Sequence, residues 1–125
     1  MSDATFKEII QKTNSVIEAF WKVEQRSWGI EGNMIELTKQ VGQLAKNVMT
    51  YEKYYLAKKK ENRGGSKASK DDIANELSDI FFMIIRIANH YKIDLEKAHL
   101  KELDIALTQF ISKGKVKKNI KFHIA

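Results

Sequence analysis

Residues 73–89 read IANELSDIFFMIIRIAN and place two carboxylates, Glu76 and Asp79, inside an otherwise apolar run. In a helix, residues three apart lie on one face, so both carboxylates project from the same side. Carboxylates are seldom buried unless a positive group offsets their desolvation. An Arg or Lys partner would do so, and so would a hard divalent cation, which prefers oxygen ligands. The run therefore predicts a helix whose function depends on what neutralises this pair.

The sequence on both sides of this run predicts an all-α fold built from four helices. The chain has 125 residues, enough for one core, and it contains no proline to interrupt a helix. Apolar residues recur at helical spacing, and Ser69 and Asp94 stand where N-caps are expected. The predicted helices cover residues 5–28, 32–60, 70–91 and 95–112.

The positive charge is concentrated in one loop and at the C-terminus. The formal net charge is +6, and lysines cluster in residues 58–67 and in residues 113–125. We predict one helical domain over residues 1–112 and a basic tail over residues 113–125, whose alternating apolar residues would also suit a strand. Because the charge forms no stripe along an aromatic face, nucleic acid is not expected as a partner. A basic bundle that binds nucleic acid through this loop and tail is the weakest alternative.

Several classes of site and location are excluded or disfavoured by composition. The chain contains no cysteine, so disulfides, thiolate metal sites and thiol nucleophiles are excluded. No run of 18 apolar residues is present, and the N-terminus has no secretory signal pattern. We therefore expect a cytoplasmic protein that does not use the membrane.

A second polar stripe lies on the helix that precedes Glu76 and Asp79. It contains Glu36, Gln40 and Gln43, which border the apolar face of the second helix. Because a short loop joins the two helices, an antiparallel pairing would set the two stripes opposite each other. The facing carboxylate and amide oxygens predict a site for Mg²⁺ or Mn²⁺.

Simpler roles remain open for the same polar residues. Glu76 and Asp79 could form a solvated patch, or they could pair with Arg86 or Lys39 without any metal. Gln40 and Gln43 could form hydrogen bonds between helices.

The two stripes resemble the signature of the MazG-like, all-α nucleotide pyrophosphohydrolases. That signature is E-E-x-x-E on one helix and E-x-x-D on the next. The second half is present as Glu76-Leu-Ser-Asp79, and the following residues up to 98 also resemble the family. The first half aligns with LTKQVGQLA at residues 37–45, where Lys39, Gln40 and Gln43 replace the acids. The resemblance covers residues 20–105.

The resemblance implies a helical bundle that dimerises, sometimes further to a tetramer. In the family, divalent metal bound by the acids orients a nucleoside triphosphate, and water attack yields a monophosphate and pyrophosphate. Aromatic residues of the first helix region, Phe20, Trp21 and Trp28, would lie near the base, although Trp21 and Trp28 could instead pack in a core or dimer interface. The resemblance assigns Glu76 and Asp79 as metal ligands, and the facing stripe adds Glu36, Gln40 and Gln43 as candidate ligands. The candidate substrate-binding residues are Trp21, Trp28, Lys39, Asn89 and Lys101.

The replaced acids give two functional hypotheses. Fewer carboxylates weaken Mg²⁺ binding, since affinity follows ligand charge. The first hypothesis is an impaired, metal-dependent nucleoside triphosphate pyrophosphohydrolase homologue, with no catalytic residue assigned. The alternative is a catalytically degenerate nucleotide-sensing or protein-interaction module of the same fold.

Overall fold

The computed structural model describes residues 3–55 and 68–112, and these residues form four α-helices and no strand. The predicted all-α, four-helix class is therefore confirmed. No described helix is both long and apolar enough to cross a lipid bilayer. The helices are α1 (Phe6–Trp21), α2 (Gly29–Tyr51), α3 (Lys70–His90) and α4 (Leu95–Ser112).

Side-chain caps fix the starts of three helices. The Thr5 hydroxyl accepts a hydrogen bond from the Glu8 backbone N–H at 3.1 Å before α1. Before α3, the Ser69 hydroxyl accepts from the Asp72 N–H at 3.2 Å, and Asp72 Oδ2 accepts from the Ser69 N–H at 2.8 Å. The Lys97 N–H donates to Asp94 Oδ1 at 3.1 Å before α4. The two predicted N-caps are thus confirmed, because capping depends on local sequence.

The boundary between α1 and α2 differs from the prediction. Helix α1 ends at Trp21 instead of residue 28, and α2 begins at Gly29 instead of residue 32. Apolar residues continue the helical spacing beyond Trp21, which explains the overlong prediction. Gly29 has φ +60°, a left-handed conformation that glycine adopts without strain. Residues 22–28 therefore form a connection rather than two helical turns.

Helix α2 is also shorter than predicted. It ends at Tyr51, and Lys53 two residues later has φ 63°, which is incompatible with a continuing right-handed helix. The remainder of the predicted helix, residues 56–60, lies outside the described residues.

The chain divides into two compact units, Met1–Lys92 and Ile93–Ala125. In the first unit, α3 packs against α1 and, more extensively, against α2. The second unit contains α4. The single domain predicted over residues 1–112 stays a prediction, and the predicted basic tail lies outside the described residues.

Few apolar side chains are buried among the described residues of the first unit. They are Ile17, Met83, Ile85 and Ala88. Arg86, three residues from Met83 on the same helical face, is buried as well. On α2, Val41 and Val48 are exposed, while Asn33 and Thr50 are buried.

Candidate functional site

An open cleft of about 790 Å³ lies within the first unit and is bordered by α1, residues 22–28, α2 and α3. We call it the main cleft. Five candidate site residues predicted from sequence line it: Phe20, Trp28, Glu36, Gln40 and Asp79. The predicted convergence of the α2 and α3 stripes on one depression is therefore observed for part of each stripe.

Three oxygen-bearing side chains of the main cleft, Glu36, Gln40 and Asp79, form what we call the oxygen set. Lys39 Nζ lies 3.1 Å from Glu36 Oε1, and Gln40 Nε2 donates to Glu36 Oε2 at 3.0 Å. Both oxygens of Glu36 are thus engaged by neighbours on its own helix. Gln40 Oε1, in contrast, is buried with no hydrogen-bond partner, and Asp79 is exposed to the cleft.

The other two predicted metal ligands, Glu76 and Gln43, do not line the main cleft. Glu76 lies three residues before Asp79, and Gln43 lies three residues after Gln40. Each separation corresponds to about 4.5 Å along the helix axis. Gln43 is exposed, whereas Glu76 is half-buried and its Oε2 is buried without a hydrogen-bond partner.

The donor chemistry fits a hard cation, although the charge is low. The free buried atoms Gln40 Oε1 and Glu76 Oε2 are oxygen acceptors, which Mg²⁺ and Mn²⁺ accept as ligands. Within residues 3–55 and 68–112, no three or more His, Asp or Glu side chains are grouped so as to hold a metal ion. Any cation here would therefore depend on the Gln40 carbonyl, on waters and on ligand oxygens as well as carboxylates.

The main cleft also has an aromatic set, Phe20, Trp28 and Phe82. The rings of Phe20 and Phe82 meet edge to face, with centroids 5.8 Å apart. The Trp28 ring lies under the Arg86 guanidinium, 4.6 Å from ring centroid to Cζ. Edge-to-face and cation–π geometries of this kind hold aromatic side chains in fixed orientations.

A buried ion pair joins the connection at residues 22–28 to α3. Arg86 Nη2 donates to Glu24 Oε1 at 2.9 Å, and the two side chains are 6% and 10% exposed. Glu24 Oε2 is buried without a hydrogen-bond partner. Both residues line the main cleft.

This pairing corrects the alternative in which Arg86 or Lys39 neutralises the carboxylates of α3. Arg86 pairs with Glu24 and Lys39 pairs with Glu36. No ion pair joins Glu76 or Asp79 to any part of the chain that the structure describes. Arg86 pairs with Glu24 because a buried guanidinium needs a carboxylate partner within hydrogen-bond distance.

The remaining predicted substrate-binding residues lie outside the main cleft. Trp21 and Asn89 line a smaller pocket of about 270 Å³, which also borders Trp28. Asn89 Nδ2 donates to Asn14 Oδ1 at 2.7 Å, so this amide has a partner within the protein. Lys101 belongs to the second unit and lines a shallow depression of α4.

Sequence reasoning missed Glu24 and Phe82 and gave Arg86 the wrong partner. A lone arginine in an apolar helical run is itself a signal, because a buried guanidinium requires an acceptor. Its partner could not be identified, since Glu24 is 62 residues away and was placed inside the overlong first helix.

No protein-family model matches this chain, and neither a curated protein nor a solved structure is significantly similar to it. The MazG-like resemblance accordingly stays a prediction that rests on the motif residues.

Proposed function

We propose that this chain is a MazG-like protein that binds a nucleoside triphosphate with Mg²⁺ in the main cleft. The observation that carries the proposal is the joint presence, in one cleft, of an aromatic set and an oxygen set. A nucleotide needs both kinds of surface, since its base is aromatic and its phosphates are bound through cations or cationic side chains.

The aromatic set supports placement of the base. Phe20, Trp28 and Phe82 offer ring faces and edges to a flat ligand, and stacked or edge-to-face pairs add to the burial of apolar area. The volume of about 790 Å³ is within the range of small-molecule sites, which is roughly 300 to 1,000 Å³.

The oxygen set supports placement of the metal. Asp79 and the Gln40 carbonyl would hold the cation, with Glu36 and Glu76 as the nearby carboxylates on the two helices. Mg²⁺ would supply the charge that attracts the phosphates, because it retains waters and accepts phosphate oxygens as ligands. Asp79 and Gln40 would orient the triphosphate by fixing the position of the cation.

The electrostatics support binding more strongly than hydrolysis. Glu36 is already shared between Lys39 and Gln40, so Asp79 is the one member of the oxygen set whose carboxylate has no partner among the described residues. A weakly charged site binds Mg²⁺ less tightly and has less capacity to activate a water. We therefore propose slow hydrolysis of the α–β phosphoanhydride at most, with nucleotide binding as the main activity.

Exposed apolar side chains favour a second role, the interaction module that is the rival hypothesis. Large apolar side chains on α2 and α3, among them Ile35, Val41, Leu77 and Ile84, remain exposed in the single chain. Contiguous exposed apolar surface is typical of association sites. A homodimer or tetramer formed through these faces would bury them.

Calorimetric titration with α,β-methylene triphosphates, with and without Mg²⁺, tests the proposed function. We expect binding that requires Mg²⁺ and is weakened about tenfold by Asp79→Asn, because the cation loses a charged ligand. Asp71→Asn is the matched control, since Asp71 is an exposed carboxylate on the same helix and outside the main cleft. No metal-dependent binding of any triphosphate would overturn the proposal.

A further inference from the structure

The Glu24 carboxylate is held by an ion pair, but only one of its two oxygens accepts a hydrogen bond from the described residues. Its side chain is 10% exposed, and Oε1 accepts a hydrogen bond from Arg86 Nη2 at 2.9 Å. Oε2 is buried and has no hydrogen-bond partner among the described residues. Arg86 is itself 6% exposed and lies against Trp28, so the buried guanidinium contacts the Glu24 carboxylate from the Oε1 side.

A buried carboxylate oxygen without a donor is costly, and native proteins rarely leave one in that state. Glu24 lines the main cleft, so a ligand bound there lies against this side chain, and a slight turn of the carboxylate would present Oε2 to it. The free oxygen therefore indicates a ligand that brings its own hydrogen-bond donor.

The charge balance specifies what kind of donor fits. Arg86 already supplies one positive charge to Glu24, so the ligand need not be a cation. A neutral N–H group satisfies the oxygen without adding uncompensated charge to a buried position. The nearby aromatic set suits the flat ring to which such an N–H group would be attached.

We infer that Glu24 recognises the exocyclic amino group of the bound nucleobase through Oε2. This inference rests on the proposed function, because it assigns the base to the aromatic set of the same cleft. The main cleft then takes adenine, cytosine or guanine nucleotides in preference to their deaminated counterparts.

Deamination replaces the amino donor with a carbonyl acceptor and turns an adjacent ring nitrogen from an acceptor into an N–H donor, while the size and shape of the base change little. At Glu24 this change sets a carbonyl oxygen against a carboxylate oxygen and leaves two acceptors without a donor. A site built to accept a hydrogen bond discriminates strongly against a ligand that lacks the donor. The expected loss of affinity is about tenfold or more.

The test compares matched pairs of triphosphates by calorimetry in the presence of Mg²⁺. The pairs are ATP with ITP, CTP with UTP, and GTP with XTP. We expect the amino member to bind about tenfold more tightly in at least one pair. Glu24→Gln should shrink or reverse that preference, because a rotated amide can donate its NH₂ group to the carbonyl. Glu18→Gln, an exposed position on α1 outside the main cleft, should leave it unchanged.

The wild-type comparison needs no substitution, so the inference can fail even if Glu24→Gln does not fold. Equal affinity within every pair would overturn it while leaving the proposed function intact. A preference that persists in folded Glu24→Gln would also overturn it. If no triphosphate binds with Mg²⁺, the proposed function fails, and the inference fails with it.

Discussion

The main cleft contains two groups of polar side chains that differ in how their charges and acceptor atoms are paired. At the Glu24–Arg86 pair, a carboxylate is balanced by a guanidinium within the protein. In the oxygen set, Glu36 is engaged by Lys39 and Gln40, while Gln40 Oε1 and Asp79 have no partner among the described residues. The first group is bound into the fold and the second is incomplete. This difference indicates that the pair stabilises the wall of the cleft, whereas the oxygen set leaves acceptor atoms available to a ligand.

Removing the arginine should have the largest effect, because it leaves a buried carboxylate without its cation. For Arg86→Met we expect the free energy of unfolding to fall by about 3–5 kcal/mol. Replacing both partners, as Glu24→Leu with Arg86→Met, should restore much of that loss because no unpaired charge remains buried. Urea denaturation followed by circular dichroism measures both changes. A loss below about 1 kcal/mol in the single variant would place the pair in the class of weak surface ion pairs.

An intermediate effect on stability is expected at Gly32, whose lack of a side chain leaves room for Trp28. A Cβ at residue 32 would lie 2.8 Å from Trp28 Cβ, too close for either backbone to remain where it is. We expect Gly32→Ala to cost about 1–3 kcal/mol of stability through overpacking and to weaken nucleotide binding with it. Thermal unfolding measures the first change and calorimetric titration the second.

Gly42 on the same helix provides the matched control. Apart from the backbone of its own helix, no atom of the described residues lies within 4 Å of a Cβ built there, so Gly42→Ala should stabilise α2 by about 0.5–1 kcal/mol. If the two alanine variants behave alike, the contact between Gly32 and Trp28 does not position the aromatic set.

The smallest effect concerns the charge of the oxygen set. Gln40→Glu adds a carboxylate that lines the main cleft, and we expect Mg²⁺ affinity to rise about tenfold because ligand charge increases. Gln43→Glu adds the same charge to the same helix at an exposed position outside the cleft. Magnesium titration monitored by calorimetry distinguishes them. A larger gain from Gln43→Glu would mean that the motif alignment, and not the cleft, locates the metal.

The parts of the fold that depend on neighbouring residues could be predicted from sequence. Ser69 and Asp94 cap their helices through hydrogen bonds to residues three positions away. The polar stripes of α2 and α3 follow from the angle of about 100° between successive residues of a helix. Gln43 shows the limit of that reasoning. It lies seven residues from Glu36 and almost at the same angle, but about 10 Å further along the axis, where the cleft does not reach. The helical angle shows which face of the helix a residue lies on, but it does not show how far along the helix axis the cleft extends.

The parts that depend on distant residues could not be predicted. Helical periodicity continues past Trp21, so nothing local indicated that Glu24 leaves the helix and meets Arg86. Free acceptors such as Glu24 Oε2 are visible only once every neighbouring donor has been placed.

The distance in sequence between Glu24 and Arg86 has a consequence for the order of folding. Helices form within about a microsecond from local contacts, and capping at Ser69 lets α3 begin without its partners. The hydrogen bond from Arg86 to Glu24, in contrast, closes a segment of 62 residues and incurs the corresponding loop entropy. We therefore expect helical structure in α1, α2 and α3 to begin forming before the cleft between them closes. Loss of the contact between Glu24 and Arg86 would then accompany the opening of the cleft.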